Sequence, residues 1–222
     1  SPPREFFVAT GGHVRTPALA RDVTGCGRIE GVEVRGERLP ASSIVAAVPW
    51  FGLRALFGTI PPPELEAIFT TTAGMTPMPI VTVNLWYDRP VMTETFAGLP
   101  GRTMQWVFDK RMAFGESASH LSLVASGATA IVAETNDALA DLAAREVEAS
   151  LPGARGLWPI RATVVREKQA TFSLAPGQPA RPGNRTPIAG LFLAGDWTDT
   201  GLPATIEGAV VSGNRAAAAV AE

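Results

Sequence analysis

Residues 190–222, GLFLAGDWTDTGLPATIEGAVVSGNRAAAAVAE, leave the chain few choices of fold. Gly190 to Ala194 carries no charge, is bounded by glycines and is too short for a helix, so it reads as a buried strand. Gly195-Asp196 interrupts the run. From Pro203 onward the period changes: Ile206, Val210, Gly213, Ala217 and Val220 recur at three- and four-residue steps, which predicts the inner stripe of an amphipathic helix. Pro203 suits a first-turn position, where its missing N–H costs nothing. Strand, glycine turn and helix follow one another.

A helix start leaves backbone N–H groups unpaired and carries partial positive charge, so it suits an anionic or electron-rich ligand group. The small residues Gly208, Ser212, Gly213 and Ala216 would let the helix lie close to a neighbouring backbone or a flat ligand. Asp196 places two acceptor oxygens just past the strand, where ligands of α/β sheets sit, and a sugar or ribityl hydroxyl would pair with them. Spacing alone is equally consistent with Asp196 as a turn cap and a helix that only packs.

LFLAGDWTDTGLPATIEGAVVSGNRAA closely resembles the C-terminal flavin motif of the squalene-associated FAD-dependent desaturases, the group that includes hydroxysqualene dehydroxylase, within the flavin amine oxidase and phytoene desaturase superfamily. PIVTVNLWYDRPV and MQWVFDKR resemble the same group. The resemblance implies FAD as cofactor, with Gly195 and Asp196 at the ribityl chain or pyrophosphate and Pro203, Ala204, Thr205 and Ile206 facing the pyrimidine edge of the flavin. It also implies an antiparallel-sheet substrate domain roofing that flavin.

Such proteins open with a strand, a G-x-G-x-x-G turn and a helix that receive the pyrophosphate. Here Gly25-Cys26-Gly27 is followed by Arg28-Ile29-Glu30, and an alternating, strand-like stretch succeeds it. The expectation is therefore a C-terminal part of a flavoprotein without its main nucleotide-binding unit. An α+β fold follows: an incomplete Rossmann-like flavin domain from residues 1–49 and 188–222, and a substrate domain from 50–187. Losing the first βαβ unit should bare an apolar face and a sheet edge, so a homodimer or a partner chain is expected.

Composition excludes several classes. With 46% hydrophobic and 18% charged residues and a net charge of -2, the chain reads as globular and offers no electrostatic case for nucleic acid. It has no apolar run near the roughly 20 residues of a membrane span, and SPPREFF does not open like a signal peptide. One cysteine, Cys26, cannot form an internal disulfide and fits a reducing compartment. A cytoplasmic location is expected, with at most peripheral attachment to the inner membrane, since no amphipathic basic helix is visible.

Between the termini the pattern is mixed. Residues 6–48 carry short β signals, with Ile29, Val32 and Val34 apolar around Gly31 and a run from Ser43 to Val48 ending at Pro49, which predicts a meander and a buried strand. Residues 18–23 carry little β-branched character. Pro61-Pro62-Pro63 precedes a short helix from Glu64. Strands are predicted at 80–87, 103–109, 120–125 and 162–172, and a helix at 136–151 capped by Thr135 or Asn136. Arg166, Glu167 and Lys168 in a row suit an edge strand. Proline and glycine crowd 176–187, the expected return loop.

No metal site is legible: His13 and His120 are far apart and lack partners at ligand spacing. Nor is a hydrolase triad, because Ser117, Ser119 and Ser122 near His120 lack a nucleophile elbow. Hard chemistry would then belong to the cofactor, the protein supplying shape and a few polar groups. Trp86, Met104, Trp106, Phe108 and Phe172 are candidates for the wall of a hydrocarbon tunnel, and equally candidates for core. The resemblance implies reductive dehydroxylation of hydroxysqualene to squalene for hopanoid synthesis. Another amine oxidase or carotenoid desaturase, or a non-catalytic lipid-binding fragment needing a partner chain, remains an alternative. Loss of hydroxide needs a proton donor or electrostatic stabiliser. Asp109, Lys110, Arg166 and Lys168 are the nearest charged candidates, and the sequence assigns that role to none of them.

Overall fold

Alternation decides the central sheet. Between Pro77 and Trp86, Val81, Val83 and Leu85 are buried while Ile80, Thr82, Asn84 and Trp86 are only part-buried, because successive strand side chains point to opposite faces. The computed structural model, which describes residues 2–16, 20–25, 27–115 and 119–222, divides into two compact units, Ser1–Met75 with Leu174–Glu222, and Thr76–Ser173. The boundaries expected at 49 and 188 thus fall inside the first unit. Residues 50–75 group with it through the Arg54–Phe57 turn, which lies against the strand Ala20–Gly25, and hold together internally by Phe57 lying 5.7 Å from Phe69 and Arg54 over the Phe69 ring at 5.3 Å. Residues 174–187 group with it through Asn184, which donates to the Leu193 carbonyl at 2.8 Å. Cys26, Ala18 and Ser117 lie outside the described residues.

The first unit opens with α1 (Pro2–Ala9), then the antiparallel meander β1 (Ala20–Gly25), β2 (Arg28–Val34) and β3 (Glu37–Pro40), then β4 (Ile44–Ala46). Short 3-10 turns lead to α2 (Glu66–Gly74), which starts two residues later than expected because Pro63–Leu65 forms a 3-10 turn first. The second unit follows: β5 (Pro77–Trp86), β6 (Phe96–Gly98), β7 (Trp106–Asp109), α3 (Arg111–Phe114), β8 (His120–Ser126), α4 (Asn136–Ser150) and β9 (Arg161–Phe172). The chain then returns to the first unit with β10 (Leu191–Leu193) and α5 (Ile206–Val220).

The second unit is one antiparallel sheet, β6-β7-β8-β5-β9, with α4 on one face. Val81, Val83, Leu85, Leu121 and Leu123 pack there with Leu139, Ala143 and Val147 of α4. Thr135 caps α4, its Oγ1 accepting from the Ala138 N–H at 3.2 Å. β9 is an edge strand, which accommodates its run of charges.

The strand expected from Thr103 begins only at Trp106. Glu146 of α4 is buried and its carboxylate accepts from the N–H groups of Thr103 and Met104, both at 2.8 Å. That clamp draws the preceding loop inward, so Met104 enters the core instead of sharing a face with Trp106 and Phe108. Among the described residues no helix is long and apolar enough to cross a membrane.

Candidate functional site

In the first unit β10 runs parallel to β4, Leu191 beside Ile44 and Leu193 beside Ala46. Gly195 then takes φ 150°, and a Cβ there would lie 2.5 Å from Trp197 Nε1, so no other residue type fits. Trp197 is buried and donates from Nε1 to the Val48 carbonyl at 2.9 Å, tying the turn to the segment after β4. Asp196, between them, is half-buried. Burial pushes its carboxyl above the usual aspartate range, against the backbone N–H groups of Asp196 and Trp197 and the charge of Arg181, which pull it down.

The turn is braced from below by a polar network that the sequence reading missed. Ser212 Oγ accepts from Asn184 Nδ2 at 2.9 Å and from the Gly195 N–H at 3.0 Å, and pairs with Thr198 Oγ1 at 2.7 Å. Ser212 and Thr198 are fully buried. The legible signal was a serine among small residues on a helix: a hydroxyl buried there must find partners.

Thr205 is the N-cap of α5, its Oγ1 accepting from the Gly208 N–H at 3.0 Å. Pro203 therefore lies two residues before the cap, not in the first turn. Ile206 is the first helical residue, and helix geometry leaves the N–H groups of Ile206 and Glu207 without intrahelical acceptors. Pro203 and Thr205 are exposed, Ala204 half-buried. The expected inner stripe is reversed. Ile206 is 87% and Val210 51% exposed, and Ala217 and Val220 are exposed too, whereas Gly208, Ser212, Ala216 and Ala219 are buried, the two alanines against Phe192 and Ala194. At the start of the helix a Cβ on Gly208 would lie 2.9 Å from the Pro203 carbonyl oxygen, so the segment leading into α5 leaves room there for glycine alone.

In the second unit, the sheet face away from α4 carries Trp86, Phe108 and Trp106, half-buried or exposed. Trp86 stacks on His120 with centroids 4.3 Å apart, Phe114 stacks on the same imidazole at 5.7 Å, and Phe96 lies 6.1 Å from Phe108. Arg161 sits 4.7 Å over the Trp86 ring and Lys110 5.9 Å over Phe108. Three of the five aromatic or apolar candidates thus share an open wall. Met104 and Phe172 are buried instead.

The charged candidates divide differently. Asp109 is buried and accepts from Arg111 Nε at 2.6 Å, while Arg111 also donates to the Met92 carbonyl. Arg166 donates to the carbonyls of Val132 and Glu134 and to Asn136 Oδ1, clamping the approach to α4. Both are held by structural work. Among the described residues no cluster of three histidine, cysteine or acidic side chains could hold a metal.

Set against known proteins, the chain is 37% identical over 186 residues to a hydroxysqualene dehydroxylase of Rhodopseudomonas palustris, covering 80% of this chain and 38% of that protein. It is 34% identical over 182 residues to the hydroxysqualene dehydroxylase of Sinorhizobium fredii, again covering 80% and 38%. The chain thus spans well under half the length of these curated relatives. Among solved structures, an oxidoreductase from Methanosarcina mazei superposes with a TM-score of 0.72 at 15% identity, over 97% of this chain and 51% of that one, which shows the fold. The family model described as flavin containing amine oxidoreductase matches residues 10–221, and the chain belongs to that family.

Proposed function

We propose that this chain carries the flavin-holding turn and the substrate wall of an FAD-dependent oxidoreductase that reduces hydroxysqualene to squalene, a step feeding hopanoid synthesis. The observation that carries this reading is the identity to two hydroxysqualene dehydroxylases, each over 80% of the chain. The residues present fit the cofactor. A half-buried carboxylate at Asp196 would accept from ribityl hydroxyls, and the first-turn amides of α5, without intrahelical acceptors, would suit an acceptor-rich ring edge. In its reduced form FAD would supply a hydride: with that hydride and one proton, the C–OH bond is replaced by C–H, the hydroxyl leaves as water, and the flavin is left oxidised until an external reductant restores it. Trp86, Trp106 and Phe108 offer a π-rich surface for a long polyene, and Lys110 and Arg161 fringe it with positive charge.

An α/β segment bearing a glycine-rich turn, in the same polypeptide or another, completes the pyrophosphate site in this reading. Membrane contact is peripheral, made to draw an insoluble substrate from lipid. The test is the visible flavin spectrum of the purified protein, alone and with added FAD, followed by incubation with hydroxysqualene under reducing conditions. Bound flavin and squalene in the extract are expected. Asp196→Ala should weaken FAD at least tenfold, since charge-assisted hydrogen bonds contribute about 1.5–3 kcal/mol. Bound flavin without squalene would overturn the substrate, and absence of flavin under all conditions would overturn the cofactor site.

A further inference from the structure

Pairing register brings polar groups from three strands into one row. Asn84 of β5 lies opposite Ser122 of β8 on one side and Thr163 of β9 on the other. Their chain neighbours Val83, Leu85, Leu121 and Leu123 are buried in the core beneath α4, so Asn84 and Ser122 project from the opposite, aromatic face. Phe108 continues the row as the register partner of Ser122, and Trp86 with its stacked His120 forms the adjacent row. The result is a polar notch in an otherwise aromatic wall.

The notch is short of partners. Ser122 is only 6% exposed, and among the described residues its hydroxyl has no hydrogen-bond partner. The residue is enclosed by its neighbours but its oxygen still reaches the surface, so the hydroxyl can donate to or accept from a ligand laid over it. His120 Nε2 lies 3.3 Å from Asn84 Oδ1. The imidazole thus engages the carbonyl end of the amide, and among the described residues the N–H end has no protein acceptor. One donor pair and one hydroxyl stand side by side on a surface built for hydrocarbon.

We propose that the Asn84–Ser122–Thr163 notch binds the single hydroxyl of a ligand that is otherwise hydrocarbon, so that the wall selects an isoprenoid alcohol over the alkene of the same skeleton. The inference rests on the reading of the wall as a substrate surface and adds the group that sets its specificity. Asn84 donates to the alcohol oxygen and Ser122 exchanges a hydrogen bond with the alcohol O–H. The alkene leaves both unpaired under a desolvating ligand, and sites built to pair a hydroxyl reject analogues that lack it. A product without the hydroxyl is thereby released in favour of the next substrate.

The test is quenching of tryptophan fluorescence in the intact protein, without reductant, on titration with hydroxysqualene and separately with squalene. The wild type should prefer hydroxysqualene at least tenfold. Asn84→Leu should bring the two affinities to near parity without weakening squalene. Ser122→Ala, which removes an unpaired atom and leaves the fold intact, should cut the preference severalfold and carries the test if Asn84→Leu does not fold. Equal wild-type affinities would overturn the notch while leaving the wall. Binding of neither ligand would overturn the wall and the notch together. Variants that keep the wild-type preference would overturn the notch alone.

Discussion

Tyr87 shows how sharply one side chain can report its surroundings. It is the only tyrosine in the chain, is 1% exposed, and among the described residues its hydroxyl has no hydrogen-bond partner. Burial, with the nearby negative charge of Glu148, pushes its phenol up to about 12. Below the unfolded value near 10 both states keep the proton, so stability is unaffected there; it falls as pH rises from about 10 to about 12, where only the unfolded chain ionises. Absorbance at the phenolate band should therefore titrate with a midpoint near 12 in the folded protein and near 10 in denaturant. A folded midpoint near 10 would contradict the burial. Tyr87→Phe should cost little, because no hydrogen bond is broken, and should remove the alkaline loss of stability measured by denaturant melts.

Elements owe their placement to small polar groups as much as to apolar stripes. α5 lies close on β10 because Gly208, Ser212, Ala216 and Ala219 occupy its inner face, and Ser212 is tolerated there because Asn184, Gly195 and Thr198 satisfy it. Ser212→Ala should cost about 1–3 kcal/mol in equilibrium unfolding, as buried partners lose their acceptor. α4 is tied to the loop before β7 by Glu146. Glu146→Ala would strand the N–H groups of Thr103 and Met104 and should cost a similar amount; a change within experimental error would show that these amides find other partners. The helix itself was legible from its period, but period does not say which side is inside. Ile206 and Val210 look like core because they are large, yet they are exposed and the small residues Gly208, Ser212, Ala216 and Ala219 are the buried ones.

At the scale of the molecule, the two units have different needs. The second unit buries a complete core between its sheet and α4. The first leaves Ile206, Val210 and Val220 of α5 exposed, an apolar stripe of the kind that invites association. The chain spans 38% of the length of its curated relatives, so a covering segment of α/β character is our proposal for that stripe. The chain by itself should associate at micromolar concentration in sedimentation velocity, and Ile206→Lys with Val210→Lys should shift it toward monomer. A monomer before substitution would contradict a role for this face in association.

The sequence by itself determined the family, the longer strands and helices, and the strand–glycine–helix turn around Asp196, because local periods, caps and obligatory glycines act over a few residues, whereas the short elements α1, β6 and α3 carry too few residues for a period to show and α1 opens a stretch that reads as β. The set Val81, Val83 and Leu85 was legible as one face of β5, since alternate side chains share a face. Only the tertiary structure decided which of the candidate aromatics form an open wall, that Met104 is drawn inward by Glu146, that Asp109 and Arg166 are spent on structural bonds, and that α5 turns its small side to the sheet. Each depends on a partner distant in the chain, a carboxylate, carbonyl or backbone whose position no local pattern encodes. The polar row of Asn84, Ser122 and Thr163 belongs to the same class, since its three residues become neighbours only when β5, β8 and β9 pair.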